Sequence, residues 1–253
     1  MADTFRSRIL SGEPQLGAFL TWPVEGALEI LGLAGFDFSV VDTEHGYFNP
    51  ESVERMVRAA EGAPIPVIVR VPNCHASADV GQALDAGACG VLFPRADGVL
   101  AVRGAVESAK YAPAGKRGLA GVRANRYGTI PFDRWVVDAN EGSIVIVQIE
   151  TSAALEAVDA VAAEKWVDVV FVGPNDLSQA LGIPGNYTDD RYRAAIERVG
   201  AAARSRGKAA GIMLREASQI PALRRQGYTV FTTSDRGLLA QSAAAWRAAL
   251  ERA

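Results

Sequence analysis

An imidazole and two carboxylates stand together where a run of apolar residues ends. The run spans residues 36–40, and the segment 41–46 that follows carries Asp42, Glu44 and His45. Histidine has an ordinary pKa near neutrality, which suits it to proton transfer at physiological pH. Since the chain has only two histidines, we interpret His45 as a candidate general acid or base.

Polar side chains follow several further apolar runs in the same way. They are Arg70, Arg95, Gln148, Glu150, Asn175 and Asp176. Side chains alternate along a strand, so Gln148 and Glu150 share one face while Val147 and Ile149 share the other. If the apolar pair packs outward, the polar pair points into a common site.

Glu150 and Asp176 are candidate metal ligands. A buried carboxylate is costly without a cation. Two hard oxygen donors are too few for a calcium cage but suit Mg²⁺ or Mn²⁺, which retain waters and take further ligands from substrate. Alternatively, an ion pair with Arg70 would satisfy either carboxylate.

The four lysines limit the chemistry by their positions. They are Lys110, Lys116, Lys165 and Lys208, and none ends a predicted strand. Schiff-base chemistry needs an amine in a dry pocket, so an imine mechanism is disfavoured. The Gly-x-Ser-x-Gly motif for acyl transfer is also absent from the sequence. Metal, histidine and arginine remain, a set suited to abstracting a proton beside a carbonyl.

The elements that position these residues repeat along the whole chain. Short apolar runs alternate with amphipathic segments, as expected of βα units around a parallel sheet. The predicted strands are 16–22, 36–42, 66–71, 90–94, 143–150, 168–173, 209–214 and 228–233. Eight units in 253 residues favour one closed (β/α)₈ barrel domain over residues 1–253. The alternative, an open doubly wound sheet, lacks a Gly-rich phosphate cradle after the first strand.

Amphipathic segments predict the helices between these strands. Examples are 49–61, 76–86, 151–165, 189–206 and 236–251. The one long irregular connection, 113–142, is interpreted as a functional excursion rather than a domain boundary. Cys74 and Cys89 show neither disulfide nor zinc spacing.

Composition excludes several classes of partner. The net charge is −3 and the sequence has no long cationic run, so nucleic acid and anionic membranes are poor candidates. No apolar stretch reaches the roughly 18 to 20 residues of a membrane span. The N-terminus lacks a signal-peptide pattern, and we therefore expect a cytoplasmic enzyme.

The chain resembles the HpcH/HpaI aldolase family of metal-dependent, class II pyruvate aldolases. The resemblance rests on AGFD at 34–37, DTEH at 42–45, VR at 69–70, YAPAGKRG at 111–118, VQIET at 147–151 and VGPNDLS at 172–178. The last two motifs are the specific ones, and the resemblance runs nearly end to end.

This resemblance implies roles for individual residues. Glu150 and Asp176 would bind a divalent ion, and Gln148, Asn175 and Asp176 would contact the keto acid. Three further residues are expected to be catalytic: His45 as proton acceptor, Arg70 as transition-state stabiliser and Asp85 as the carboxylate that raises the basicity of the histidine. Our element assignment, however, places Asp85 near the end of a helix on the opposite face of the barrel.

The resemblance also implies a homo-oligomer, commonly a hexamer, in which a C-terminal helix packs on a neighbour. The Ala-rich segment 238–250 suits that role and equally suits the ordinary eighth barrel helix. Arg95 and Asn175 depart from residues frequent in the family. With the stretch 123–127, Arg95 favours a hydroxylated or carboxylated aldehyde, or hydroxypyruvate beside pyruvate.

We therefore expect reversible cleavage of a 4-hydroxy-2-oxo acid into pyruvate, or hydroxypyruvate, and an aldehyde. The divalent ion is Mg²⁺, Mn²⁺ or Co²⁺, all of which accept two carboxylates and a bidentate keto acid. One alternative is a citramalyl- or malyl-CoA-type lyase on a similar barrel. The other is a non-catalytic keto-acid-binding barrel, which would not need His45.

Overall fold

Eight parallel strands close into one barrel, because β1 is hydrogen-bonded to both β2 and β8. The computed structural model describes residues 4–251, so the outermost residues of the predicted domain, 1–3 and 252–253, lie outside the described part. The strands are β1 Gln15–Leu20, β2 Phe38–Asp42, β3 Val67–Arg70, β4 Gly90–Phe93, β5 Ile144–Ile149, β6 Val169–Val172, β7 Ala209–Met213 and β8 Val230–Ser234. The predicted barrel is confirmed, and closure excludes the open doubly wound sheet.

Helices surround the strands. They are α1 Phe5–Leu10, α2 Glu25–Leu33, α3 Pro50–Gly62, α4 Ser77–Ala86, α5 Val99–Ala109, α6 Phe132–Gly142, α7 Ser152–Glu156, α8 Val158–Ala162, α9 Pro174–Ala180, α10 Asp190–Ser205, α11 Ile220–Arg225 and α12 Asp235–Glu251. The single helix predicted over 151–165 is wrong, since the chain leaves helical geometry at Ala157, between α7 and α8. None of the helices within residues 4–251 is long and apolar enough to cross a membrane.

Alternation along the strands builds two separate apolar cores. Inward side chains such as Val40, Ile68 and Ile146 fill the barrel, and Phe5 and Ile9 of α1 close its N-terminal end. Outward side chains pack under the helices in a second cluster, among them Val145, Val147 and Ile149. Burying each such side chain contributes about 1.5–3 kcal/mol. The last inward position of several strands is polar, and this polar layer lies at the C-terminal mouth.

The connection 113–142 differs from its prediction. Its second half is the regular helix α6, and the connection joins α5 to β5, so it lies at the N-terminal face of the barrel. Arg123 shows this position, because its Nη1 donates to the carbonyl of Ala86 at the end of α4, 2.7 Å away. The prediction that the stretch 123–127 favours a hydroxylated or carboxylated aldehyde together with Arg95 is wrong for the chain's own barrel, because the stretch lies away from the mouth. A connection that leads from a helix to the next strand lies at the N-terminal face of a barrel, whereas the mouth is at the C-terminal ends of the strands.

Candidate active site

Asp42 and Arg70 form a buried, bidentate ion pair at the mouth. They end the neighbouring strands β2 and β3 and lie directly opposite each other in the sheet register. Arg70 Nε donates to Asp42 Oδ1 at 2.8 Å, and Nη2 donates to Oδ2 at 2.6 Å. Because both side chains are nearly inaccessible to solvent, the guanidinium is fixed in one orientation. The predicted alternative, that Arg70 neutralises Glu150 or Asp176, is not the arrangement observed.

Glu44 lies on the other side of the same guanidinium. Its Oε2 is 3.1 Å from Arg70 Nη1, close enough for an ion pair. This oxygen is nevertheless buried and accepts no hydrogen bond. Burial raises the pKa of Glu44, and the nearby charges of Asp42 and Asp176 raise it further, while Arg70 and His45 oppose the rise. Glu44 therefore belongs to a group of carboxylates that repel one another.

His45 projects from the turn after β2. Asp42 Oδ1 accepts the backbone N–H groups of Glu44 and His45 at 3.1 and 3.2 Å, which fixes the turn. Gly46 completes it, since a Cβ there would overlap the carbonyl oxygens of Asp42 and Thr21. The imidazole is 60% exposed, and its Nε2 is 3.9 Å from Glu44 Oε2, too far for a hydrogen bond. Asp42 is thus occupied by the backbone and Arg70, and Glu44 is the nearest candidate to orient the histidine.

Glu150 is buried and held by neutral donors. The backbone N–H of Arg95 donates to Oε1 at 2.7 Å, and the amide of Gln148 donates to Oε2. The backbone N–H of Arg95, and not its exposed guanidinium, contacts Glu150, and Arg95 adopts a left-handed backbone with φ 50. Burial is the main cause that raises the pKa of Glu150 to about 7, and Glu44 and Asp176 add to it. Gln148 Oε1 is buried without a hydrogen-bond donor.

Asn175 and Asp176 come from the first turn of α9, directly after β6. The backbone passes close to β5 here, because a Cβ on Gly173 would overlap the side chains of Gln148 and Glu150. Asn175 Oδ1 accepts the hydroxyl of Tyr187 at 2.5 Å. The charge of Asp176 raises the pKa of Glu150, as expected of two carboxylates that face one space.

The charge balance of this cluster fits a divalent cation. Asp42, Glu44, Glu150 and Asp176 surround one buried cation, Arg70, which is engaged with the first two. Glu150 and Asp176 are left with no cationic partner within residues 4–251. Gln148 Oε1 is a further hard oxygen without a donor. Within the same residues, no three His, Cys, Asp or Glu side chains form a metal cluster, so an ion held by Glu150 and Asp176 would need further ligands.

A cavity of about 200 Å³ lies beside these groups, and Glu44 and Glu150 are not among the residues that line it. Its lining includes His45, Arg70, Gln148, Asn175 and Asp176, all predicted from the sequence to belong to one site. The lining residues also include Phe19, Thr21, Asp42, Phe171, Gly173, Pro174, Met213, Ser234 and Arg236. No lysine is among them in the described part of the chain. The buried Lys110 instead donates to the carbonyls of Asn140 and Ser143 beside the start of β5.

Asp85 does not join this cluster within one chain. It lies in the last turn of α4, at the N-terminal face of the barrel, and its carboxylate accepts Arg117 Nη2 at 2.6 Å. The contact with His45 that the resemblance implies does not form within one barrel, and Asp85 lies on the opposite face, as our element assignment expects. A helix that follows a barrel strand runs back toward the N-terminal face, so residues at its end are far from the mouth.

Sequence reasoning missed the contribution of β8 and α12. Asp235 Oδ2 accepts the backbone N–H of Thr21 at 2.7 Å, and Arg236 contacts both Thr21 and His45. These residues follow a predicted strand, as the other site residues do. The signal that identifies them is therefore the same: polar residues directly after a predicted strand, here the eighth.

Comparison with known proteins places this site in a family. The sequence profile of the HpcH/HpaI aldolase/citrate lyase family matches residues 15–241.

The chain belongs to this family. It is accordingly an enzyme of the aldolase type, a carbon–carbon lyase.

Two relatives and one solved structure are similar to this chain over most of their length. A 4-hydroxy-2-oxo-heptane-1,7-dioate aldolase of Salmonella heidelberg is 34% identical over 85% of this chain and 81% of its own. A 4-hydroxy-2-oxovalerate aldolase of Novosphingobium aromaticivorans is also 34% identical, with the same two coverages. A citrate synthase of known structure is 31% identical and superposes with a TM-score of 0.89 over 98% of both chains. These similarities agree with membership of the family and with carbon–carbon lyase activity.

Proposed function

We propose that this enzyme reversibly cleaves a 4-hydroxy-2-oxo acid into pyruvate, or hydroxypyruvate, and an aldehyde. The observation that carries the proposal is the convergence of His45, Arg70, Gln148, Glu150 and Asp176 at one barrel mouth. Two relatives are named for aldol substrates of this class. The cavity of about 200 Å³ suits a small keto acid.

Glu150 and Asp176 are the residues that would hold a divalent ion, Mg²⁺, Mn²⁺ or Co²⁺. The unbalanced negative charge of the cluster supports this assignment, as does the raised pKa of Glu150. When bound, such an ion acts as a Lewis acid on the oxygens of a keto acid. Gln148 and Asn175 lie beside the two carboxylates and would contact the substrate.

In the cleavage direction, His45 accepts the proton of the 4-hydroxyl group. As the oxygen–hydrogen bond breaks, the C4–O bond becomes a carbonyl and the C3–C4 bond breaks. The electron pair released to C3 delocalises onto the 2-oxo oxygen, giving the enolate of pyruvate and a free aldehyde. Arg70 is held by Asp42 with its guanidinium in the cavity, and its charge stabilises the developing oxyanion. A proton returned to C3 completes pyruvate.

Exchange of the pyruvate methyl protons in deuterated water tests this function directly. Wild-type enzyme with Mg²⁺ or Mn²⁺ should exchange them, because exchange requires the enolate. Chelation should abolish exchange, and His45→Ala should lower it strongly. Proton NMR of the methyl signal is the readout, and full exchange after either treatment would refute the mechanism. A non-catalytic keto-acid-binding barrel would bind pyruvate without exchange.

The acyl-CoA lyase alternative makes a different prediction. Such an enzyme needs a site for the CoA nucleotide, and the candidate cavity is small. Incubation with citramalyl-CoA and malyl-CoA, followed by assay of free carbonyl product, separates the two functions. Cleavage of either thioester at a rate above that of a 4-hydroxy-2-oxo acid would favour the lyase.

We further propose that the enzyme is a homo-oligomer, as the resemblance to hexameric aldolases implies. None of the residues of α12 is buried in the single chain. Leu239, Trp246 and Leu250 are 60%, 79% and 67% exposed, which is unusual for large apolar side chains on one helix. This exposure supports packing of α12 on a neighbour over the role of an ordinary barrel helix.

An oligomer also offers the one way in which Asp85 would act on His45. The two residues lie at opposite faces of a barrel, so the implied pair forms only between His45 of one subunit and Asp85 of another. If the pair forms, His45→Ala and Asp85→Ala should each have low activity alone, and mixing the two by denaturation and refolding should recover a fraction of activity. Full activity of Asp85→Ala alone would refute the pair.

A further inference from the structure

Arg236 places a second guanidinium at the mouth of the cavity. It lies in the first turn of α12, directly after β8. Its Nε donates to Thr21 Oγ1 at 2.8 Å, its Nη2 donates to the carbonyl oxygen of His45 at 3.1 Å, and its guanidinium carbon lies 5.8 Å from the centre of the Trp22 ring. The side chain is therefore positioned, although it is exposed to solvent.

The charge of Arg236 is not balanced as that of Arg70 is. Arg70 is engaged by the carboxylates of Asp42 and Glu44. The guanidinium of Arg236 donates to a hydroxyl and a carbonyl, both neutral, and forms no ion pair with a carboxylate within residues 4–251. The adjacent Asp235 carboxylate is bound instead to the hydroxyl and backbone N–H of Thr21. A guanidinium has five N–H donors, so three remain. Arg236 is thus a fixed cation with free donors on the wall of the cavity.

We propose that Arg236 binds an anionic group at the far end of the acceptor aldehyde, and thereby selects carboxylated aldehydes. This inference rests on the proposed aldol function. The aldehyde carbon must lie between the keto-acid end of the cavity and His45, which handles the proton on its oxygen. The remainder of the aldehyde then extends toward the His45 side of the mouth, where Arg236 is hydrogen-bonded to the backbone of His45 itself.

Arg95 is placed differently from Arg236. Its backbone N–H donates to Glu150, its guanidinium is exposed, and the residue does not line the cavity as Arg236 does. The expectation that Arg95 selects a charged aldehyde stays a prediction beside the proposal for Arg236. A guanidinium suits a carboxylate because its paired N–H groups match the two oxygens.

The test compares two four-carbon aldehydes with pyruvate as donor: succinic semialdehyde, which carries a carboxylate, and butanal, which does not. Wild-type enzyme should have the higher kcat/KM for succinic semialdehyde. Arg236→Gln should lower the ratio of kcat/KM for succinic semialdehyde to kcat/KM for butanal about 10-fold or more, since a charge-assisted hydrogen bond is lost for one aldehyde only. The loss should appear mainly in KM for the aldehyde.

Two further variants separate recognition from a structural role. Arg236→Lys retains the charge and should keep part of the preference for succinic semialdehyde. Arg103→Gln removes the same charge from α5, where the side chain is 60% exposed and paired with Glu164, and should leave the preference unchanged. If Arg236 only ties the loops together, Gln and Lys variants will lose activity toward both aldehydes equally, and the proposal is overturned.

The donor half-reaction keeps this proposal distinct from the proposed function. Arg236→Gln should still exchange pyruvate methyl protons, because no acceptor takes part, and the exchange rate measures any loss that comes from removing the Arg236 hydrogen bond to the His45 backbone. Wild-type enzyme that exchanges these protons and uses both aldehydes equally would refute the role of Arg236 alone. Wild-type enzyme that neither exchanges the protons nor condenses pyruvate with either aldehyde would refute both.

Discussion

Glu150→Gln should stabilise the metal-free enzyme at alkaline pH while it abolishes catalysis. The folded protein raises the pKa of Glu150 from 4.5 to about 7, chiefly because the carboxyl is buried. A shift of about 2.5 units corresponds to about 3 kcal/mol. That is the cost of the ionised carboxylate in the folded state, and it applies when no cation balances the charge.

The sign of the pH dependence follows from proton linkage. Between pH 4.5 and about 7 the folded state holds the proton on Glu150 and the unfolded state does not. The free energy of unfolding therefore falls as pH rises through this window. Glutamine does not titrate, so the variant lacks this decline. We expect the two proteins to be similar in stability near pH 4.5, and the variant to be about 3 kcal/mol more stable at pH 8.

The surroundings of Glu150 accept this substitution. The variant's side-chain oxygen would keep the hydrogen bond from the Arg95 N–H. Its new amide would face Gln148, whose Oε1 lacks a donor, and rotation of the Gln148 amide would let that oxygen accept. A polar side chain of the same size thus replaces the carboxylate without leaving a new unpaired group.

Thermal unfolding with and without metal measures the effect. For a chain of this size, about 3 kcal/mol corresponds to a rise in Tm of about 6–12 °C. Saturating Mn²⁺ should raise the Tm of wild type and barely change that of the variant, because ligand binding stabilises only the protein that binds it. Glu107→Gln, at a half-exposed carboxylate paired with Lys116, should change Tm little and keep the metal response. Equal pH dependence in wild type and Glu150→Gln would refute the reasoning.

Further predictions concern the groups around Glu150. Gly173→Ala should destabilise the protein by about 1–3 kcal/mol, measured by urea unfolding, because the added methyl overlaps the side chains of Gln148 and Glu150. Arg70→Lys should keep the charge but lose the fork that Asp42 holds, and kcat should fall about 100-fold or more with far-UV circular dichroism unchanged. Trp246→Glu should shift the enzyme toward smaller species in size-exclusion chromatography, because a charge replaces an exposed apolar contact; an unchanged elution volume would place the subunit contact elsewhere.

The fold was predictable because its signals are local. A strand buried on both faces is a short apolar run, and a barrel helix is an amphipathic segment, so each of the eight units is recognisable within about 30 residues. The ends of all eight strands lie within two residues of the prediction. Position along a strand then predicted that Gln148 and Glu150 face inward, and alternation in β5 is confirmed by the outward packing of Val147 and Ile149.

The partners of charged groups were not predictable in the same way. Asp42 and Glu44 are the carboxylates nearest to His45 in the sequence, yet Asp42 is engaged by Arg70 and by the turn backbone. The choice depends on register between β2 and β3, which brings Asp42 directly opposite Arg70. Sequence separation gives no information about such a pairing, because the two residues meet only once the barrel forms.

By itself, the sequence determined the eight-stranded barrel and the strand ends at which chemistry collects. The tertiary structure alone decided which groups at the mouth are neutralised and which are left with unbalanced charge. In the folded chain Arg70 pairs with Asp42 and Glu44, whereas Glu150 is buried and accepts hydrogen bonds from neutral donors. Arg236, near the end of the sequence, is hydrogen-bonded to the backbone of His45. Hydrophobic periodicity is a property of neighbours in sequence, whereas electrostatic balance depends on distances across the closed barrel.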